Sequence, residues 1–160
     1  HINLKRNITA MEIREYRTED CPQLARLFYD TVHSINTRDY TKEQVDAWAD
    51  GRVDIDGWNT SFLEHYTLVA VDSGIVAGFG DIDAAGYLDR LYVHKDYQGM
   101  GVATMLCDRL ESRFYGRRVT THASITAKPF FINRGYSVIS ERQVERRGVS
   151  MINYEMEKQC

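Results

Sequence analysis

The chain of 160 residues carries 20 Lys and Arg against 23 Asp and Glu, a formal net charge of −3, with 43% hydrophobic and 27% charged residues. That length suits one compact domain, and a mildly acidic globular composition argues against bulk nucleic-acid or membrane-surface binding. No apolar run approaches the roughly 18 residues of a spanning helix, and Cys21, Cys107 and Cys160 form no CxxC pair, which indicates neither a disulfide framework nor a zinc site and points to a reducing, cytoplasmic setting.

Residues 1–10 hold Lys5 and Arg6 and no acid, lack an apolar signal core, and read as an upstream or expression-derived extension. Residues 11–17 alternate as a strand does. Thr18 follows as a helix N-cap with Glu19 and Asp20 in the first turn, and Leu24, Leu27, Phe28, Thr31, Val32 and Ile35 recur at helical spacing. Thr41 to Gln44 form a capping box ahead of a short helix through Trp48. Residues 50–60 read as a glycine-bearing loop and 61–66 as one further helical turn. The period then changes: strands over 67–72 and 75–83 flank Ser73-Gly74, and 87–93 is another. Val102, Leu106, Leu110 and Phe114 mark the stripe of an amphipathic helix. A strand over 118–122, a short helix over 125–133 ending at Gly135, and a hairpin over 136–145 and 149–157 complete the chain. The expectation is one mixed α/β domain over residues 11–160.

The most informative stretch is Gln98, Gly99, Met100, Gly101, Val102 and Ala103, between a strand and a helix. Its glycines let the chain turn sharply and let a ligand reach the backbone. The helix opened there presents unpaired N–H groups and a positive dipole end, which suit phosphate, and Thr104 adds a hydroxyl. A P-loop lysine is absent, and so are the third small residue and the distal acid of a dinucleotide fingerprint.

Gln98, Gly101 and Ala103 fill the defining positions of the motif Q/R-x-x-G-x-G/A. Ser124, Ala127, Phe130, Phe131, Gly135 and Tyr136 fall in register with N-x-x-A-x-x-[LF]-Y-x-x-x-G-[FY]. On these two motifs the chain resembles the GNAT-type N-acetyltransferases over nearly its whole length. The segments ASITAKPFF and QVERRG resemble the small bacterial YafP-like branch. The resemblance implies a twisted mixed sheet with helices on both faces, acetyl-coenzyme A (acetyl-CoA) as co-substrate without a metal, and transfer to a primary amine of a small molecule or peptide by direct attack in a ternary complex. It places the pyrophosphate on residues 98–103 and the pantetheine arm beside Leu91, Tyr92 and Val93. Phe130 or Phe131 would lie at the thioester end; Lys128 and Arg134 could meet the nucleotide phosphates or be solvated helix charges. Two departures stand out: Ser124 replaces the family's Asn, and Phe131 replaces the Tyr that protonates the leaving thiolate. Tyr92 and Tyr136 are the nearest phenols by motif; alternatively the thiolate, of parent pKa about 8.5, leaves unaided.

An attacking amine must lose a proton. Asp89, an acid in the middle of an apolar strand, is the first candidate base, followed by Asp81, Asp83, His122 and His33. Phe28, Tyr40, Trp48 and Trp58 are the expected walls of an acceptor pocket for an amine with an apolar or aromatic part, or else plain core, as for Tyr29, Phe62 and Tyr66. Glu43, Asp46, Asp50, Asp54 and Asp56 could attract a cationic acceptor or simply solvate the rim. Two other readings stand beside catalysis: a non-catalytic acyl-CoA-binding sensor and a toxin/antitoxin-type interaction module. A homodimer through the final strands is compatible with all three.

Overall fold

In the computed structural model residues 11–160 are described, so the extension read over residues 1–10 lies outside the described residues. The elements follow in the order β1 (Met11–Glu15), α1 (Cys21–Ser34), α2 (Lys42–Trp48), α3 (Ile55–Glu64), β2 (Tyr66–Asp72), β3 (Ile75–Ile82), β4 (Tyr87–Val93), α4 (Val102–Glu111), β5 (Arg118–Ser124), α5 (Lys128–Asn133), β6 (Ser137–Arg146) and β7 (Val149–Gln159). They build one seven-stranded sheet in the order β1-β2-β3-β4-β5-β7-β6. Every neighbouring pair is antiparallel except β4 and β5.

Two apolar layers cover the sheet. On one face the stripe Val102, Leu106 and Leu110 of α4 packs with Leu68, Leu88, Val119 and Met156, joined by Phe131 of α5. On the other, Leu24, Phe28 and Val32 of α1 pack with Val45 of α2, Phe62 of α3 and Phe79 of β3. Gly78 and Gly80 let α4 approach: a Cβ at Gly78 would lie 3.0 Å from Val102 Cγ1, and one at Gly80 3.1 Å from Leu110 Cδ1.

Three local expectations are corrected. The segment read as a loop followed by one turn is the helix α3, capped by Asp54, whose carboxylate accepts from Gly57 N–H. A Cβ on Gly57 would fall 2.5 Å from that carboxylate, so the glycine that suggested a loop is what admits the cap. Thr18 opens a 3-10 turn instead of capping α1. The buried Asp20 ends that turn, holding Arg14 at 2.8 and 2.9 Å and Arg17 N–H at 2.8 Å. Finally β5 runs on to Ser124, and α5 starts only at Lys128 because Ser124 Oγ turns the chain by accepting from Ala127 N–H at 3.0 Å.

Strand β4 is irregular along both of its edges. The parallel pair β4/β5 holds only at Tyr87↔Thr120 and Leu88↔Thr121, beyond which the strands diverge. Between β3 and β4, Ile82 faces Leu88 and Asp81 faces Arg90, so Asp89 is the extra residue of a β-bulge. A bulge re-aims the side chain that it carries.

Candidate active site

A cavity of about 530 Å³ opens in the β4–β5 gap and extends to the start of α4. Leu91, Tyr92, Val93, Gln98, Gly99, Gly101, Val102, Ala103, Thr104, Ser124, Phe130 and Phe131 all line it. Of the residues expected around the co-substrate, Met100 alone is absent from the lining; it packs against the α4-side core. Gly99 and Gly101 take φ of 72° and 82°, the left-handed region open to glycine. The first helical bond of α4 runs from Met105 N–H to Gly101 C=O, which leaves the N–H groups of Val102, Ala103 and Thr104 without helical acceptors. The Gln98 amide donates to Val93 C=O at 2.8 Å, folding the loop back onto the end of β4.

Along β4, Arg90 N–H points back to Asp81 at 3.0 Å and His94 N–H to Ala77 C=O at 2.8 Å. By alternation Leu91 and Val93 turn their N–H groups into the gap. Val93 C=O is already taken by Gln98 and by Thr31 Oγ1 at 3.0 Å. A strand edge with free donors, ending at a loop of oriented N–H groups, suits a ligand that joins amides to a pyrophosphate.

A second cavity, of about 580 Å³, lies on the α1–α3 face of the sheet. Phe28, Tyr40, Trp48 and Trp58 line it, while Phe62 is core, Tyr29 stacks on His33 and Tyr66 lies under Arg113. The two cavities share Trp48, Asp89, Tyr92, His122 and Ser124, so they meet where β4 and β5 part.

At that junction Asp89 has its carboxyl raised above the usual range, chiefly by burial and also by Asp81, against the opposing charge of Arg90. His122, across the gap on β5, lies 3.0 Å through Nδ1 from the Tyr87 hydroxyl. Burial, then the charge of Arg142, lowers its pKa, so its ring is neutral at pH 7. Tyr92 packs its ring edge-on to Phe28 at 4.9 Å, and burial raises its hydroxyl well above the ordinary phenol range. It therefore stays protonated as a donor.

The remaining candidates have other duties. Asp81 is fully buried; it holds Arg90 Nη1 at 2.6 Å and lies 2.7 Å from His65 Nδ1. The ligand atoms of His65, Asp81 and Asp89 lie within 4.8 Å of one another. Arg90 supplies a positive charge among them, 3.7 Å from Asp89, while its guanidinium covers the Trp58 and Phe62 rings at 4.9 and 4.7 Å. Asp83 ties the β3–β4 turn by accepting from Ala85 and Tyr87 N–H. His33 Nε2 lies 2.7 Å from Ala49 C=O, and Cys107 is buried with its thiol pushed up to about 12.

Tyr136 corrects the motif-based expectation of a proton donor. It lines neither cavity and donates to the buried Glu111 at 2.9 Å, on the α4 side of the sheet. Glu111 also gathers Arg134 Nε at 2.6 Å and Lys158 Nζ at 2.9 Å, and Arg134 Nη2 reaches Asp108 at 2.7 Å. Arg134 is thus committed to α4, and Lys128 lies over the Tyr154 ring at 4.2 Å, so neither is set toward a nucleotide phosphate. Of the expected acids only Asp50 and Asp54 reach the second cavity. Sequence reasoning missed its arginines: Arg52, Arg90, Arg142, Arg146 and Arg147 all line it. Strand alternation could have put Arg142, Val144 and Arg146 on one face, but not shown which face is covered.

A splayed parallel pair, a bulged acid and a glycine loop at a helix start meet in one site, and the profile of the acetyltransferase (GNAT) domain matches residues 36–158. The chain belongs to the GNAT family and is an acetyl-CoA-dependent N-acetyltransferase. Within the family it falls in the YafP-like branch. It is 32% identical over 146 residues to the uncharacterized N-acetyltransferase YafP of Escherichia coli, covering 91% of this chain and 94% of that protein. A GCN5-related N-acetyltransferase from Rhodopseudomonas palustris superposes with a TM-score of 0.89 at 31% identity, over 97% of this chain and 99% of that one. The fold is also that of yncA of Salmonella typhimurium, solved with acetyl-CoA, at a TM-score of 0.69 and 20% identity over 93% of each chain. Among the described residues no helix is long and apolar enough to cross a membrane.

Proposed function

We propose that the enzyme acetylates the primary amine of a small molecule by direct attack, with both substrates bound at once. One observation carries this reading: the loop-and-gap cavity and the aromatic cavity meet at Asp89, Tyr92 and His122, so donor and acceptor can touch without a covalent relay. Acetyl-CoA supplies the activated thioester. The N–H groups of residues 98–104 hold its pyrophosphate, and those of Leu91 and Val93 hold its amide arm and oppose charge developing on the carbonyl oxygen.

Asp89 takes the proton from the incoming ammonium. Burial raises its pKa, which makes it a stronger base than an ordinary carboxylate. As the new C–N bond forms and the C–S bond breaks, Tyr92 donates a hydrogen bond to the departing sulfur, in place of the phenol that Phe131 lacks, and the thiolate takes up the second proton shed by the acylated nitrogen. Trp48, Trp58 and Phe28 form the aromatic wall of the acceptor cavity.

The test is thiol release from acetyl-CoA over a panel of small amines, run beside calorimetric binding of acetyl-CoA. Turnover that is lost in Asp89→Asn, with donor affinity retained, is the expected result. Tight donor binding with no turnover on any amine would overturn the catalytic reading in favour of an acyl-CoA sensor.

A further inference from the structure

The charges of the acceptor cavity do not balance. Its three acids are engaged: Asp50 holds Arg147 at 3.0 Å, Asp54 caps α3, and Asp89 lies 3.7 Å from Arg90. Of its five arginines, Arg90 is bound to Asp81, Arg147 to Asp50 and the Ala47 carbonyl, and Arg52 is exposed. That leaves Arg142 and Arg146 of β6, neither of which has an ion pair or side-chain hydrogen bond among the described residues. Arg146 Nε is buried without a hydrogen-bond partner, and the guanidinium stands 5.6 Å from the centre of the Trp48 ring.

A third group beside them is also unsatisfied. Asn153 of β7 is 7% exposed, lines the same cavity, and its Oδ1 has no partner. Asn153 faces Ser124 on one side and Arg142 on the other, so the three form one rung across β5, β7 and β6. Two strand spacings put the Arg142 backbone about 10 Å from Ser124 at the cavity junction. Buried donors and acceptors left unpaired in this way cost stability unless a ligand meets them.

We propose that the acceptor amine carries a carboxylate, as an amino acid does, and that Arg142 and Arg146 bind that group while Asn153 orients the amine-bearing end toward Asp89. Guanidinium forks match carboxylates in two-point geometry, and in a walled cavity such a pair is both strong and selective. The arginines stand on the β5–β7–β6 side and Asp89 on β4. Holding the carboxylate on the first side therefore directs the amine at the second. Both arginines also act electrostatically at the junction, Arg142 on His122 and Arg146 on Tyr92, which agrees with guanidinium groups turned inward.

This assignment rests on the acetyltransfer proposal for the identity of the cavity, and its test uses binding so that the two can fail separately. The enzyme loaded with coenzyme A is titrated by calorimetry with amino acids bearing small, aliphatic and aromatic side chains, and with the amide and the decarboxylated amine of each. At least one amino acid should bind about tenfold or more tightly than its two counterparts. Arg142→Gln or Arg146→Gln should abolish that preference while leaving coenzyme A affinity unchanged and the melting temperature no lower. Equal binding of acids, amides and amines, no binding by any of them, or a preference surviving both substitutions overturns the assignment. A carboxylate preference without thiol release from acetyl-CoA would keep it and overturn the acetyltransfer proposal. Turnover confined to amines without a carboxylate would do the reverse.

Discussion

Replacing Gly99 with Ala separates the loop's conformational role from its binding role. The residue sits at φ 72°, and a Cβ built there meets no protein atom within 4 Å. The cost to the free protein is therefore backbone strain alone, about 1–2 kcal/mol, which lowers the melting temperature by roughly 2–8 °C in a domain of this size. The added methyl stands at the mouth of a cavity whose neighbouring N–H groups have no helical acceptors. It keeps a phosphate from closing on them, and loss of a single charge-assisted hydrogen bond, about 1.5–3 kcal/mol, raises the Kd for acetyl-CoA by roughly 10- to 150-fold. Gly74 provides the control: φ is 83°, no atom lies within 4 Å, and it sits in the β2–β3 hairpin away from both cavities. Calorimetry and thermal melts on Gly99→Ala and Gly74→Ala should show similar melting losses and a weakened Kd only in the former. An unchanged Kd in Gly99→Ala would refute the phosphate assignment and reduce the loop to a turn.

Asp89→Asn should lower kcat/KM by about 10²- to 10⁴-fold with acetyl-CoA affinity retained. In the wild type, activity should rise with pH through a pKa above the ordinary carboxylate range, because burial raises that of Asp89. Tyr136→Phe should leave kcat unchanged and cost about 1 kcal/mol in urea unfolding, whereas Tyr92→Phe should lower kcat; a reversed pattern would restore Tyr136 as the donor. Glu111→Gln should destabilise by about 3 kcal/mol at pH 7, since Arg134, Lys158 and Tyr136 all depend on that carboxylate. The folded-state pKa of Glu111 is depressed by those partners, so its contribution is full above the unfolded value of about 4.3 and fades as pH falls through the folded value. The gap between wild type and variant in unfolding free energy should close in that acid window; a gap independent of pH would contradict the charge-based account.

The elements with strong periodicity were legible before the structure. Val102, Leu106, Leu110 and Phe114 did form one buried stripe, and Gln98–Gly101 does lie between a strand and a helix, with Val102 and Ala103 the first residues of α4. What misled was local: Gly51 and Gly57 gave α3 the look of a loop, although Gly57 is there to accommodate its cap. Tyr136 was misjudged because a motif orders residues along the chain, whereas the direction of its hydroxyl depends on Glu111, brought in from α4. Arg142 and Arg146 drew no notice in the sequence, where Glu141 and Glu145 stand beside them along β6. Only the pairing of β6 with β7, and of β7 with β5, brings them over the junction. Asp89 was noticed as an acid out of place, but the bulge that turns it depends on β3, and register with a partner strand is not written in one strand's sequence.

The parting of β4 from β5 also has a mechanical side. Among the described residues the β1–β4 plate is joined to the β5–β7–β6 plate along the sheet at one end only, by the rungs Tyr87↔Thr120 and Leu88↔Thr121, the Thr121 hydroxyl on Leu88 C=O, Thr120 N–H on Gly86 C=O and the Tyr87 hydroxyl beside His122. A donor lying in that gap with its amides on Leu91 and Val93 becomes a borrowed strand, and the sheet gains continuity when it arrives. Asp89 rides on the first plate and Asn153 and Arg142 on the second, so the spacing between base and acceptor clamp is set with the donor in place. On the proposed binding mode the donor binds before the amine, and amide exchange at Leu91 and Val93 should slow with the first of the two.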